Sequence, residues 1–209
     1  VGEAVALTNQ RQEVIVVDLA AGTLRVLDRS AYGRIAGIAW SPDGRWLAYG
    51  YPQTNQLTAI KLCDVRSGAT HTVTRPVLRD VLPSFDPEGK YLYFLGHRVF
   101  DPVYDALQFE LGFPKGVRPY AVTLRAELRS PFVSRPRPPL SAALEAQHKA
   151  LEEQAPAAPA VPLVIDLDGI ERRAVAFPVP EGRYERVLGL KGKVLFTSCL
   201  LYTSDAADD

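Results

Sequence analysis

This chain of 209 residues contains two cysteines and three histidines and has no net charge. Its two cysteines are too few for a disulfide framework, which favours a reducing environment. Basic and acidic residues are equal in number, 24 of each, so the composition predicts binding to neither nucleic acid nor an anionic membrane. No apolar run is long enough for a transmembrane helix. The hydrophobic fraction of 47% instead predicts a domain with a packed core.

Methionine is absent altogether, and so is any basic start followed by an apolar export segment. The chain starts within a strand-like stretch, VALTN, so we expect an internal fragment of a longer protein. The last residues, CLLYTSDAADD, match nothing that precedes them. We therefore interpret residues 199–209 as translated sequencing adaptor and exclude them from the fold and the function.

Two short apolar strands joined by a tight turn form the strongest pattern in the sequence, and the pattern occurs twice. Residues 33–51 read GRIAGIAWSPDGRWLAYGY, where Pro42 presets φ at the first corner of the turn and Gly44 takes a positive φ. The pattern returns 45 residues later as VLPSFDPEGKYLYFLG. The equivalent positions are Trp40 and Phe85, Pro42 and Pro87, Gly44 and Gly89, Trp46 and Tyr91, and Leu47 and Leu92.

A second turn repeats with nearly the same spacing. Residues 18–22, DLAAG, recur as DVRSG at residues 64–68, which lie 46 positions further on. Short strands that repeat every 40 to 45 residues or so are typical of β-propeller blades. We therefore predict an all-β fold, a partial β-propeller of about four blades of four-stranded antiparallel sheet, the first and last incomplete.

The composition changes in the last third of the chain. We predict propeller blades over residues 1–125 and a Pro/Ala-rich insertion over residues 126–162. Four prolines in residues 129–140 exclude a helix or a central strand there, whereas residues 141–154 predict a short surface helix. Blades resume over residues 163–198, with strands expected at 163–167, 172–177 and 194–197.

The three histidines are candidate catalytic or metal-binding residues. His71 lies in a predicted outer strand and His148 in the predicted surface helix, so both are expected to be exposed. His97, with Asp101 and Asp105, could suggest a metal site or an acid–base pair. Their spacing matches no zinc-binding motif, so we interpret the three residues as structural parts of a loop.

The candidate nucleophiles also have structural interpretations. Ser41 precedes Pro-Asp-Gly and is not part of a GxSxG motif, so it is predicted to be a turn residue, and so is Ser84, interpreted as its repeat equivalent. Cys63 lies in an apolar strand with Lys61 as the one neighbour that could favour a thiolate. A buried, unreactive thiol is the expectation.

Two further groups of charged residues surround the insertion. Asp166 and Asp168 with Gly169 resemble the start of a calcium loop, but the distal glutamate is missing, so a β-turn is predicted. The second group is basic and consists of Arg125, Arg129, Arg135 and Arg137, accompanied only by Glu127, and the pair Arg172 and Arg173. We interpret these residues as a solvated arm, the alternative being a contact with another subunit or with peptide carboxylates.

Four longer segments carry a family resemblance. They read SPDGRWLAYGYP, LPSFDPEGKYLYFLGHRVFDPVYD, FELGFPKGVRPYAVTL and IDLDGIERRAVAFPVPEGRY, in that order. Together they resemble the second, seven-bladed propeller of the tricorn-type serine peptidases, and the resemblance extends over residues 1–198. TolB-like and prolyl-oligopeptidase propellers share the SPDG turn, whereas the stretch from LGHRVFDP to DLDGIERR is more specific.

The resemblance implies a large cytoplasmic serine peptidase that degrades peptides released by the proteasome. In that family the propellers filter or channel peptides, and a serine and a histidine on a separate domain perform catalysis. We therefore predict a non-catalytic segment with no catalytic, cofactor-binding or metal-binding residue. The expected partners are peptide substrates, the remaining domains of the same polypeptide and further copies in a homo-oligomer, with no nucleic acid and no membrane.

Two other readings of the sequence stay open at this point. The chain could belong to a free-standing TolB-like propeller that acts as a protein-binding module, or to the propeller cap of a prolyl-oligopeptidase-like enzyme. Downstream sequence would separate the three. A PDZ-like region followed by a catalytic serine domain supports the tricorn-type peptidase, an early stop codon supports the free-standing module, and a GxSxG motif supports the third.

Overall fold

A computed structural model describes residues 3–99, 103–105, 110–112, 116–132 and 163–199 of the chain. Within these ranges no helix is long and apolar enough to cross a membrane. The helix predicted at residues 141–154 lies outside them. The elements are β1 (Ala4–Thr8), β2 (Glu13–Asp18), β3 (Thr23–Arg29), β4 (Ala36–Trp40), β5 (Trp46–Pro52), β6 (Thr58–Asp64), β7 (Thr70–Thr72), β8 (Arg79–Phe85), β9 (Tyr91–His97), β10 (Val103–Asp105), β11 (Glu110–Gly112), β12 (Val117–Thr123), a 3₁₀ turn (Ile170–Arg172), β13 (Ala174–Ala176), β14 (Arg183–Leu190) and β15 (Lys193–Cys199).

The strands form four consecutive antiparallel groups that have the organisation of propeller blades. The first blade contains β1, β2 and β3, and the second contains β4, β5, β6 and β7. The third is built from β8, β9, β12 and β13, and the fourth from β14 and β15. A single parallel pair, Thr58 with Arg79, joins β6 to β8 where the second and third blades meet. The predicted succession of antiparallel blades, incomplete at the first and last, is therefore present.

The turn that repeats in the sequence also repeats in the structure. The amide of Gly44 donates to the carbonyl of Ser41 at 2.9 Å, and the amide of Gly89 donates to the carbonyl of Asp86 at 2.9 Å. The two glycines have φ of 69° and 68°, the left-handed region that a side chain disfavours. Asp86 is thus the counterpart of Ser41, and the prediction that Ser84 fills this role is wrong, because Ser84 lies within β8.

The core lies between the blades, and this explains why the middle strands are apolar on both faces. In β5, Leu47 and Tyr49 pack against β2 of the first blade, while Trp46 and Ala48 pack against the third blade. Alternate side chains of one strand point to opposite faces of its sheet. Since both faces are covered by a neighbour, every position in the middle of the strand is buried.

The outward faces of the first and fourth blades carry exposed apolar side chains. Leu24 is 62% exposed and Leu195 is 50% exposed, whereas side chains this exposed on the face of a sheet are usually polar. Apolar side chains also form the faces that pack between blades, and an exposed sheet face of this kind favours association with another surface. The side chains are Val5, Leu7, Leu24 and Val26 on the first blade, and Leu188, Leu190 and Leu195 on the fourth.

Two details of the predicted strand pattern differ from the structure. Residues 163–167, predicted as a strand, are irregular, whereas the strand β14 was not anticipated from the sequence. Residues 98–116, which interrupt the third blade, contain the small hairpin of β10 and β11. The remaining predicted strands occur with their boundaries shifted by a few residues.

Candidate functional site

A groove opens between the second and third blades, at the end where the chain passes from one blade to the next. Its volume is about 280 Å³. Three stretches line it, the connection into β4, the β5–β6 loop and the start of β8. The lining residues are Tyr32, Gly33, Arg34, Ala36, Gly37, Gly50, Pro52, Thr54, Asn55, Thr58, Arg79, Val81 and Leu82.

Short-range hydrogen bonds fix the loops around the groove. The hydroxyl of Ser30 donates to the carbonyl of Pro52 at 2.9 Å and accepts from the amide of Tyr32 at 3.1 Å. Thr54 accepts from the amide of Leu57 at 3.0 Å, which closes the β5–β6 loop on itself. Both rims of the groove are therefore held in place by side chains of the rims themselves.

Bulges in the two innermost strands form the floor of the groove. Gly37 in β4 and Leu82 in β8 are 45 residues apart, and both have positive φ, 68° and 52°. Each lies where the register of its strand with the next one shifts. A Cβ atom on Gly37 would lie 3.1 Å from the backbone of Leu82, so the two bulges touch and only glycine fits at residue 37.

The groove is basic. Arg34 and Arg79 both line it, both are exposed, and none of its lining residues is acidic. Within the described part of the chain, neither guanidinium forms an ion pair with a carboxylate. Among the residues that the structure describes, no carboxylate therefore neutralises the positive charge of this surface.

The carboxylate that follows Arg79 in the chain is already paired. Asp80 is fully buried and accepts two hydrogen bonds from Arg98, at 2.9 Å from Nε and 2.6 Å from Nη2. The guanidinium of Arg98 also lies over the rings of Phe94 and Tyr120, at 5.2 Å and 4.8 Å from their centres. Because the Asp80 carboxylate is held by Arg98 within the third blade, it is not available to pair with Arg79 in the groove.

Comparison with known proteins assigns the family. The family description "Tricorn protease second beta propeller domain" matches residues 1–207. The chain belongs to this tricorn protease propeller family. The second-propeller resemblance and the all-β propeller fold predicted from the sequence are both confirmed.

Relatives and a solved structure agree with this membership. "Tricorn protease homolog 1" of Streptomyces coelicolor is 35% identical over 93% of this chain, which covers 18% of that protein. "Tricorn protease homolog" of Saccharolobus solfataricus is 33% identical over 93% of this chain and 16% of its own length. The "Crystal structure of the tricorn protease" superposes with a TM-score of 0.76 at 24% identity, over 99% of this chain and 19% of that one. The chain thus spans about a fifth of the length of the curated relatives it matches.

Two histidines of this tricorn-family propeller, His71 and His97, lie among the described residues, and they belong to different blades. His71 is partly buried in β7, its ring centre 6.3 Å from that of Trp46, rather than exposed as predicted. His97 ends β9, while Asp101 and His148 lie outside the described residues and the side chain of Asp105 is not described. No group of metal-binding side chains occurs in the ranges that the structure describes.

The surroundings of Ser41 and Cys63 are those of structural residues. The hydroxyl of Ser41 donates to the carboxylate of Asp43 at 2.6 Å and accepts from the amide of Trp46 at 2.8 Å, as a turn residue would. Burial raises the pKa of the Cys63 thiol to about 11. The charge of Lys61, whose Nζ binds Asp28 at 2.6 Å, lowers this pKa, but burial and the charge of Asp28 outweigh it.

The charged residues near the insertion also make local contacts. The turn predicted at residues 168–169 is present, with Gly169 at φ 63°, and Asp166 accepts from the amide of Ala126 at 2.8 Å. Arg125 pairs with Glu127 at 3.1 Å, on the surface. Residues 135 and 137 lie outside the described ranges, so the predicted basic arm stays a prediction.

The residues that give the groove its charge were not singled out from the sequence. Arg34 lies in the connection before β4, and Arg79 begins β8, 45 residues later. Equivalent positions in successive blades therefore carry the same charge. This repeat of an arginine at or just before the start of each inner strand was the sequence signal that could have identified them.

Proposed function

We propose that this chain is a non-catalytic propeller segment of a tricorn-like serine peptidase, which gates or guides peptides to a catalytic domain that the chain does not contain. The observation that carries the proposal is the family match over residues 1–207. The environments of the candidate nucleophiles support it. Ser41 is part of a turn, and the hydroxyl of Ser84 accepts from the amide of Gly189 at 3.1 Å in the contact between the third and fourth blades.

The same proposal extends to the complete protein. We place it in the cytoplasm, as a homo-oligomer whose substrates are peptides and whose other domains supply the catalytic serine and histidine. The exposed apolar faces of the first and fourth blades support the presence of neighbouring blades, because they match the faces that are buried between the blades of this chain.

The chain by itself is expected to hydrolyse no peptide. A fluorophosphonate probe, which reacts with activated serines, should label it no more than it labels a heat-denatured sample. The complete protein, treated in parallel, should be labelled and should cleave peptides. Labelling of the isolated chain above the denatured background would contradict the non-catalytic assignment.

Gating is tested by obstructing one end of the second blade at a time in the complete protein. Asn55→Cys introduces a thiol in the β5–β6 loop, and Arg66→Cys introduces one in the turn at the opposite end, both at exposed positions. Each thiol is then coupled to a bulky polyethylene glycol maleimide. The complete protein without either substitution, treated with the same reagent, is the control for coupling at its other cysteines.

The expected result is that coupling at one of the two ends slows the cleavage of long peptides at least about tenfold, a loss of 1.4 kcal/mol, and slows tripeptides much less. The reason is that an obstructed passage excludes long chains before short ones. The readout is kcat/KM for a fluorogenic tripeptide and for a longer peptide that contains it. Equal rates for all labelled and unlabelled forms would reject a gating role.

A further inference from the structure

In the part of the chain that the structure describes, Arg34 and Arg79 form no ion pair with a carboxylate, and the groove that they line has no acidic residue. The family assignment does not use this feature. Arg34 and Arg79 reach the groove from successive blades. A guanidinium is planar and presents its N–H donors as a fork that matches the two oxygens of a carboxylate. An exposed pair of this kind, to which the described residues add no carboxylate, is therefore complementary to an anion.

The rest of the lining favours a small polar ligand over an apolar one. Tyr32, Asn55 and Thr58 add hydroxyl and amide groups beside the two arginines. The volume of about 280 Å³ is slightly below the usual range for drug-sized ligands, which is roughly 300–1,000 Å³. It suits one or two amino-acid residues at the end of a peptide better than a folded partner.

The floor of the groove leaves backbone within reach of a ligand. Gly37 and Gly50 both line it and carry no side chain. A Cβ atom on Gly50 would come within 3.3 Å of the carbonyl oxygen of Ala36, so neither glycine can be replaced without crowding the inner strands. A peptide end placed here would meet peptide groups as well as the two guanidinium groups.

We propose that the groove between the second and third blades binds the carboxylate of a short peptide, with Arg34 and Arg79 as its cationic partners. The carboxylate is either the free C-terminus of the peptide or an Asp or Glu side chain. That the ligand is a peptide rests on the proposed function, whereas the carboxylate chemistry rests on the groove alone.

The charge of Arg79 also affects the pKa of a neighbouring histidine, His97. His97 pairs with Arg79 across β8 and β9 and is half-buried. Burial lowers the pKa of His97, and the positive charge of Arg79 lowers it further, against an opposing effect of Asp80. The lowered pKa favours the neutral form of His97 at neutral pH, so Arg34 and Arg79 are the cations among the described residues that line the groove.

The test is calorimetric titration of the complete protein after its catalytic serine has been blocked with a fluorophosphonate. The probes are N-acetyl-Ala-Ala, the C-terminal amide of the same peptide, N-acetyl-Glu-Ala amide and inorganic phosphate. The first and third probes carry a C-terminal and a side-chain carboxylate respectively, and the amide carries none. At least one carboxylate probe should bind, and the uncharged amide should bind at least about tenfold more weakly.

Arginine variants locate the binding. Arg34→Gln and Arg79→Gln should each weaken the carboxylate probe at least about tenfold, because a hydrogen bond to a charged group is worth roughly 1.5–3 kcal/mol. Arg66→Gln is the matched control, since Arg66 is exposed at the opposite end of the second blade and should leave binding unchanged. Both test residues are exposed, so the variants are expected to fold.

Three outcomes would overturn the proposal. They are binding of neither carboxylate probe, unchanged affinity in both arginine variants, and phosphate binding as tight as that of the carboxylates, which would indicate an unselective anion site. The result is independent of the obstruction experiment. A groove that binds carboxylates in a protein without gating would refute the proposed function and leave this site in place.

Discussion

Replacing Arg98 by methionine is expected to lower the stability of the third blade by about 3–5 kcal/mol. The cause is the carboxylate that remains. Asp80 is fully buried, and among the described residues its carboxylate accepts its side-chain hydrogen bonds from Arg98. Without them a charge stays buried with no partner, which costs more than the pair itself contributes. Native-state hydrogen exchange of the β9 amides in the complete protein would measure the loss locally.

Two variants separate this effect from ordinary loss of an arginine. Arg75→Met removes a surface ion pair with Glu171, in which Arg75 is 72% exposed, so the loss should be at most about 1 kcal/mol. The double variant Asp80→Asn with Arg98→Met should recover part of the stability that Arg98→Met loses, because the buried charge is gone. Similar losses for Arg98→Met and Arg75→Met would contradict the assigned role of the buried pair.

The blade architecture could be predicted from the sequence because its turns are local. The turn at residues 41–44 needs a proline that presets φ and a glycine at positive φ, and both requirements are met within four residues of sequence. The same requirements are met at residues 86–89. A local signal that repeats at a fixed spacing specifies the blade before any contact between blades is known.

Strand pairing in the last part of the chain could not be predicted for the opposite reason. Residues 163–167 are apolar enough for a strand, but their backbone hydrogen bonds go elsewhere. The amide of Leu163 donates to the carboxylate of Asp43 at 2.9 Å, and the amide of Asp166 donates to the carbonyl of Leu124 at 2.9 Å. These partners are distant in sequence, so composition alone does not reveal that the segment crosses the blades without joining a sheet.

The strand β14 was not predicted because a bulge interrupts its alternation of apolar and polar residues. Its register with β15 shifts between Tyr184 and Arg186, so the alternation of apolar and polar residues is broken near its start. Three of its first four residues are charged. Only Val187 is buried, in the contact with the third blade, and that contact depends on tertiary structure.

The groove is a further case of tertiary structure that the sequence does not display. Its walls come from the connection before β4, the β5–β6 loop and the start of β8, which meet only once two blades are packed together. Each arginine by itself looks like an ordinary surface residue. The charge of the groove arises because both arginines line it, whereas Asp80, which follows Arg79 in the chain, is buried and paired with Arg98.

Replacing Phe94 by alanine should be about as damaging as breaking the buried ion pair, with an expected loss of about 3–5 kcal/mol. Phe94 is fully buried in the cluster between the second and third blades, and its ring stacks on Tyr120 with centres 5.2 Å apart. Alanine would leave a cavity between two sheets whose backbones are held by hydrogen bonds and cannot collapse to fill it. The loss should appear in the exchange of amides in both blades, since the cavity belongs to both.

Phe94→Leu is the control for the size of the cavity. Leucine keeps most of the buried volume, so the loss should be about 1.5 kcal/mol or somewhat more. The ring of Phe94 also lies under the guanidinium of Arg98, so Phe94→Ala and Arg98→Met share one set of contacts. Their combined loss should therefore fall short of the sum of the two, by about 0.5–3 kcal/mol. If the losses of Phe94→Ala and Arg98→Met added exactly, the ring of Phe94 would not be coupled to the ion pair. If Phe94→Ala and Phe94→Leu lost the same stability, the size of the cavity would not explain the loss.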